Sequence, residues 1–221
     1  MIAIIADIVQ SRKLPRREEI QARLASCLER VNQANPSSLA SKFTITLGDE
    51  FQALFQTPLG LLQALDEISF GMYPVRLRYG IGLGEITTVI DPELSLGADG
   101  PAYWNAREAI QYVRRNDDYG RSNIHVVSGS EDEALAVVNE LLKATAVISA
   151  SWRLTQVEVM RGLLAENIWT PKFDQANVAR KLKISDSTLT RRMASSGIKL
   201  YLRGRGVAEA ALERIHQRYA Q

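Results

Sequence analysis

Met1–Ile8, MIAIIADI, read together with Lys42–Phe55, KFTITLGDEFQALF, decides the fold. In the first stretch Ile2, Ile4, Ile5 and Ala6 form a near-continuous apolar run, the pattern of a strand covered on both faces, and Asp7 closes it. In the second, Phe43, Ile45 and Leu47 alternate with Thr44 and Thr46, Gly48-Asp49 punctuates, and Phe51, Ala53 and Phe55 resume the alternation. This predicts a hairpin with Gly48-Asp49 at its tip. If the hairpin flanks the first strand, Asp7 and Asp49 arrive at one edge of a sheet. Neighbouring carboxylates repel unless a proton or a hard cation lies between them, so this edge is expected to hold Mg²⁺ or Mn²⁺ against nucleotide phosphates. The plainer reading is a turn-forming Asp49 and a capping Asp7 that bond nearby backbone.

Outward from these strands, Ile8 to Lys13 is a short connection with two cations, where backbone amides and Arg12 could hold phosphate. Residues 16–34 follow a helical stripe through Ile20, Leu24, Cys27, Leu28 and Val31. Thr57-Pro58 is expected to start a second helix that buries Leu61, Leu62, Leu65 and Ile68. Val75–Leu83 alternates as a strand, with Glu85–Ile90 as its expected partner. Gly80, Gly82 and Gly84 are not a dinucleotide loop, because Glu85 stands where the third glycine belongs and no helix opens there. Glycines within a strand instead permit a bend or the close approach of another backbone. A helix is expected from Pro101 to Arg115, with Tyr103, Trp104, Ala106, Ile110 and Val113 on its apolar side. A strand over Asn123–Ser128 and a helix over Glu131–Ala150 follow. The order makes the chain α+β, with a core βαββαβ that describes a ferredoxin-like palm over residues 1–150.

Charge separates this body from the remainder. Residues 1–150 carry 14 Lys and Arg against 19 Asp and Glu, while residues 151–221 carry 13 against 6. Only the basic tail is therefore expected to approach a polyanion. Within it, Ser151–Asn167 reads as a packing helix with Trp152, Leu154, Val157, Met160 and Leu164 at helical spacing. Residues 175–197, QANVARKLKISDSTLTRRMASSG, fit a helix-turn-helix: Val178, Ala179 and Leu182 inward, Ile184 in the turn, Ser185 as N-cap, and Leu189 and Met193 anchoring the second helix. On a recognition helix Asp186, Ser187, Thr188 and Arg191 would face the major groove, with Arg192, Lys181 and Lys183 nearer phosphates. Arg203-Gly204-Arg205 could add backbone contacts, which extends the expected DNA surface over residues 174–205. A last helix, Val207–Tyr219, would close this domain through Ala211, Leu212 and Ile215. The plainer alternative is a helical domain that packs on the body or a partner.

The composition, 46% hydrophobic and 24% charged, is that of a globular protein, and no apolar run reaches the roughly 18 residues of a membrane span. Met1 leads directly into a strand, so no signal peptide is read and a cytoplasmic location is expected. Cys27 falls on an apolar helical face as a core thiol, and two histidines give zinc clusters and histidine triads little to work with.

These motifs resemble known families. ADIVQSR is similar to the opening strand and phosphate turn of class III nucleotidyl cyclases, and TLGDEFQALF to their second-metal hairpin and to the GGDEF motif of diguanylate cyclases, with Leu47 in place of the first glycine. RYGIGLGEI and WNAREA fall where cyclases carry a glycine-rich strand and an Asn/Arg helix. The combination ADIVxSR, ITLGDEFQ, GIGLGEI and DGPAYW, followed by a helix-turn-helix, most closely resembles the SatD family over essentially the whole chain. The resemblance implies Asp7 and Asp49 as metal ligands and the Ile8 carbonyl as another. It further implies a nucleotide turn over Val9, Gln10, Ser11 and Arg12 with Gly48 opposite, catalytic Arg107, and a homodimer of bacterial type. Ile45 replaces the base-selecting lysine and Tyr103 the catalytic asparagine, unless Asn105 substitutes. The expected function is a DNA-binding regulator with a metal-nucleotide-binding, dimerising palm; the alternative is an active nucleotidyl cyclase or nucleotidyl transferase with a regulatory tail.

Overall fold

The computed structural model describes residues 1–115, 122–129 and 132–219. Five strands form one mixed sheet: β1 (Ile2–Ile8), β2 (Leu39–Leu47), β3 (Glu50–Phe55), β4 (Leu77–Leu83) and β5 (Ile124–Val127). Their order is β2-β3-β1-β4-β5, all neighbours antiparallel except β4 and β5. Every residue of β1 is buried, as expected for a central strand with helices on both faces. Eight α-helices accompany the sheet among the described residues: α1 (Arg17–Ala34), α2 (Leu61–Met72), α3 (Pro101–Arg115), α4 (Glu133–Ala150), α5 (Leu154–Ala165), α6 (Gln175–Lys181), α7 (Asp186–Ser196) and α8 (Ile198–Tyr219). None of them is long and apolar enough to cross a membrane.

The two-residue period of β1 assigns the layers. Ile2, Ile4, Ala6 and Ile8 join a core with Phe51, Phe55, Tyr79 and the apolar stripes of α1, α2 and α4. Ala3 and Ile5 meet Ala102, Tyr103, Ala106 and Ile110 of α3 on the opposite face. Gly80 and Gly82 face α3 so closely that a Cβ on either would fall on the carbonyl of Ala106 or Ala102. The sheet edges are closed by one device used twice. Asn32 of α1 bonds both backbone groups of Phe43 in β2, and Asn139 of α4 bonds both of Val126 in β5. Exposed edge backbone is thereby satisfied by buried side-chain amides.

Several expectations are corrected. Residues 85–90 form no strand, because both sides of β4 are occupied by β1 and β5; the Thr87 amide bonds the Asp99 carbonyl instead. Helix α2 begins at Leu61 rather than at Thr57-Pro58, with Gly60 in the left-handed region and the amides of Gly60 and Leu62 donating to the Glu209 carboxylate. Trp104 points outward, 60% exposed. Trp152 precedes α5 and stacks on Phe70 of α2 at 5.3 Å, and Leu154 is exposed. The expected helix start at Glu131 lies outside the described residues. The last helix begins at Ile198, and Ala208, Leu212 and Ile215 join the core of the body against α4 rather than closing the C-terminal helices. Arg205 is consequently inside the molecule, 5% exposed, and is not part of a DNA-facing surface.

Candidate functional site

The sheet register places Asp7 between Glu50 on β3 and Arg78 on β4, so these three side chains share the α3 face. The hairpin turn puts Asp49 one residue before Glu50, and the Ile8 amide donates to the Asp49 carbonyl at 3.0 Å. Asp7 and Asp49 therefore line one cleft of about 400 Å³, together with Ile8, Gln10, Ser11 and Arg12. Beyond β1 the chain turns through Gln10 in the left-handed region (φ 54°) into a 3-10 turn, Ser11–Lys13. The Val9 and Lys13 amides are spent on the Arg76 and Gln10 carbonyls. Gly48, with φ 54°, forms the hairpin tip beside the neighbouring hollow that Asp49 and Ser11 also border.

The carboxylates are compensated by arginine. Arg78 donates to both oxygens of Asp7 at 2.8 and 3.2 Å, and Arg114 of α3 donates to Asp7 at 2.8 Å and to Glu50 at 3.2 Å. Burial pulls the Arg114 guanidinium down, and Asp7 and Glu50 outweigh it, leaving the group above its ordinary value. Asp49 accepts from the Ser11 hydroxyl. The cleft thus holds three carboxylates against four cations, Arg12, Lys13, Arg78 and Arg114. The sequence argument that a cation must sit beside Asp7 is met by guanidinium groups from β4 and α3. For a divalent ion the donor chemistry is right, hard oxygen from Asp7, Asp49 and the Ile8 carbonyl, but both Asp7 oxygens are held by arginine, so this arrangement does not fit a resident Mg²⁺ or Mn²⁺. Among the described residues no group of three or more His, Cys, Asp or Glu side chains is arranged so that it could hold a metal ion.

Sequence reasoning missed Arg78, Arg114 and Glu50. Arg78 was legible, since the alternation of RLRYG places it on the face of Gly80. Arg114 was not, because only the crossing of α3 over the sheet brings it to Asp7. The two expected catalytic residues do not line the cleft: the Asn105 amide donates to the Leu83 carbonyl at 2.7 Å, and Arg107 is exposed on α3. Tyr103 is buried, which pushes its phenol upward.

In the C-terminal helices, Ser185 caps α7, accepting from the Thr188 amide at 3.2 Å, and Val178, Ala179, Leu189 and Met193 are buried as expected. Asp186, Ser187, Thr190, Arg191, Ala194 and Ser195 form one exposed face of α7. Of the expected DNA-binding residues, Ser187, Lys183 and Arg191 are exposed, whereas Thr188 is half-buried against Ser185. Arg192 turns to Glu158 of α5 at 3.6 Å, and Lys181 pairs with Glu166. Thr190, which the sequence reading omitted, belongs to the exposed face by helical spacing alone.

A family model described as SatD family matches residues 1–212. No curated protein matches the chain. Among solved structures, a bacterial light-regulated adenylyl cyclase is similar over 57% of this chain and 42% of its own length, at 18% identity and a TM-score of 0.41; the chain spans less than half of that protein.

Proposed function

The chain belongs to the SatD family, and we propose that it works as a dimeric DNA-binding regulator whose body takes a nucleotide. In this reading α6 and α7 are a helix-turn-helix and α7 enters the major groove. The observation that carries it is the exposed face of α7, where Ser187, Thr190 and Arg191 offer donors and acceptors to base edges while the opposite face is buried. Lys183, exposed in the turn before α7, is placed for phosphate. Arg192 and Lys181 have acidic partners already and serve the fold of the helices first.

The strand order supports reading the sheet through β4 as a ferredoxin-like palm. Its cleft, with an excess of cations, favours a phosphate group on Arg12, Arg78 and Arg114 beside the Ser11 turn. Turnover is not part of the proposal, because Asn105 is tied to β4 and Tyr103 is buried. The exposed Trp104 and Arg107 share α3 away from the cleft, which supports a second copy docking there.

Fluorescence anisotropy with duplex genomic fragments at 50 and 200 mM salt tests the reading. Binding is expected to weaken steeply with salt and to fall at least tenfold in a Lys183→Ala, Arg191→Ala double variant, with unchanged thermal stability. No binding at low salt, or no change in the double variant, overturns it. Calorimetry with nucleoside triphosphates, with and without Mg²⁺, tests the cleft separately, and light scattering tests the dimer.

A further inference from the structure

A second cavity, of about 490 Å³, lies where the body meets the C-terminal helices. Its wall is drawn from α2, the start of β4, β5, α4, α5 and α8. Protein interiors leave few voids larger than a water molecule, so a space of this size is not a packing fault; ligand pockets run from roughly 300 to 1,000 Å³. One wall is aromatic: Trp152 stacks on Phe70 at 5.3 Å and meets Tyr201 at 5.0 Å.

The buried charge along the wall is internally neutral. Asp66 pairs with Arg205 at 2.5 Å and accepts from Tyr201 at 2.7 Å and from Trp169 at 2.8 Å. An ion entering would find both of these countercharges already engaged and would lose its hydration. Asn123 lines the cavity, half-buried, and its side-chain amide offers both donor and acceptor. Ser149 spends its proton on the Ala146 carbonyl and keeps lone pairs to accept.

We propose that this cavity binds an uncharged, planar heteroaromatic small molecule, laid against the Phe70–Trp152–Tyr201 wall and read at its edge by Asn123 and Ser149. Aromatic faces reward a flat π system, and an ion would meet an Asp66–Arg205 pair that is already neutral and an exposed Arg76 that has a partner of its own. The site is independent of whether α7 binds DNA. Because its walls come from both halves of the chain, occupancy also holds the C-terminal helices on the body.

Calorimetry and ligand-observed NMR on the full chain test this, with benzimidazole and indole as planar uncharged probes, benzoate as a planar anion and cyclohexanol as a non-planar alcohol. Benzimidazole or indole is expected to bind saturably, at least tenfold more tightly than benzoate or cyclohexanol, and to raise the melting temperature. Ser149→Phe, which fills the cavity, should abolish that binding with the fold intact, and Asn123→Ala should weaken benzimidazole at least tenfold. Arg114→Gln, in the other cleft, should leave it unchanged. Absence of saturable binding by both planar probes, equal binding of benzoate or cyclohexanol, or undiminished binding in both Ser149→Phe and Asn123→Ala overturns the proposal.

Discussion

Asp66 of α2 and Arg205 of α8 form an ion pair at 2.5 Å with only 1% and 5% of their surfaces exposed. Burial pulls the Arg205 guanidinium down, and the Asp66 charge overcomes that and leaves it above its ordinary value. Tyr201 and Trp169 complete the carboxylate's hydrogen bonds. Removing one partner leaves a buried charge without its counterion, at a cost of about 3–5 kcal/mol. Arg205→Met should therefore lower the urea-denaturation free energy by that amount, and adding Asp66→Asn should recover most of it. Additive losses in the double variant would show that packing, not charge, is what the site supplies.

The N-terminus of α2 offers a test in pH. Burial raises the Glu209 carboxyl above its ordinary value of 4.5, although the Leu62 and Gly60 amides pull the other way. The folded chain thus holds this proton more tightly than the unfolded chain. Its contribution to stability is fully present below pH 4.5 and declines as pH rises through the raised value. Glu209→Gln cannot titrate, so the wild type should lose stability relative to that variant between pH 4 and 7. A wild type that instead gains on the variant would mean that the helix dipole and the amide bonds outweigh burial.

Asn32 and Asn139 predict matched losses at opposite edges of the sheet. Asn139→Ala leaves the amide and carbonyl of Val126 without the partners they have at 2.8 and 2.9 Å, and a cost of about 2–3 kcal/mol is expected. Hydrogen exchange should locate the loss: the Val126 amide accelerates while the amides of β2 do not. Asn32→Ala should give the mirror result at Phe43.

The layers of the sheet were legible where side-chain period carried the information. Asp7 and Asp49 came to one cleft because β1 and the β2–β3 hairpin read correctly from alternation alone. The glycines of β4 were likewise readable as a place where another backbone approaches. What stayed hidden depends on partners distant in the chain. The cap of α2 comes from Glu209, 149 residues beyond Gly60, so Thr57-Pro58 looked like the local start. Arg205 sat in a basic run and read as a surface cation because nothing nearby reveals Asp66, 139 residues earlier. Arg114 reached Asp7 only through the crossing of α3.

Gly82 and Gly48 separate two uses of the same residue. A Cβ at Gly82 falls on the Ala102 carbonyl of α3, whose helix cannot retreat without leaving the sheet, so Gly82→Ala should cost about 3 kcal/mol or more. Gly48 has open space around it but a φ of +54°, so Gly48→Ala should cost only about 1 kcal/mol. Chemical denaturation of the two variants checks the order; a larger loss at Gly48 would mean that the hairpin tip, not the approach of α3, limits the fold.

The Asp7 cleft yields the sharpest test, because two chemistries predict opposite signs for one substitution. If Arg78 and Arg114 are the anion-binding groups and Asp7 their internal counterion, then Asp7→Asn releases both guanidinium groups, and pyrophosphate or nucleoside triphosphate should bind roughly tenfold more tightly without metal. Arg114→Gln removes a charged donor, worth about 1.5–3 kcal/mol, and should weaken the same ligands by tenfold or more. If instead Asp7 is a metal ligand, Asp7→Asn abolishes Mg²⁺-dependent binding, and Arg114→Gln, which leaves the carboxylate with one guanidinium partner instead of two, strengthens it. Calorimetric titrations of the two variants, each with and without Mg²⁺, therefore distinguish an arginine-held phosphate from a carboxylate-held ion by the direction of change.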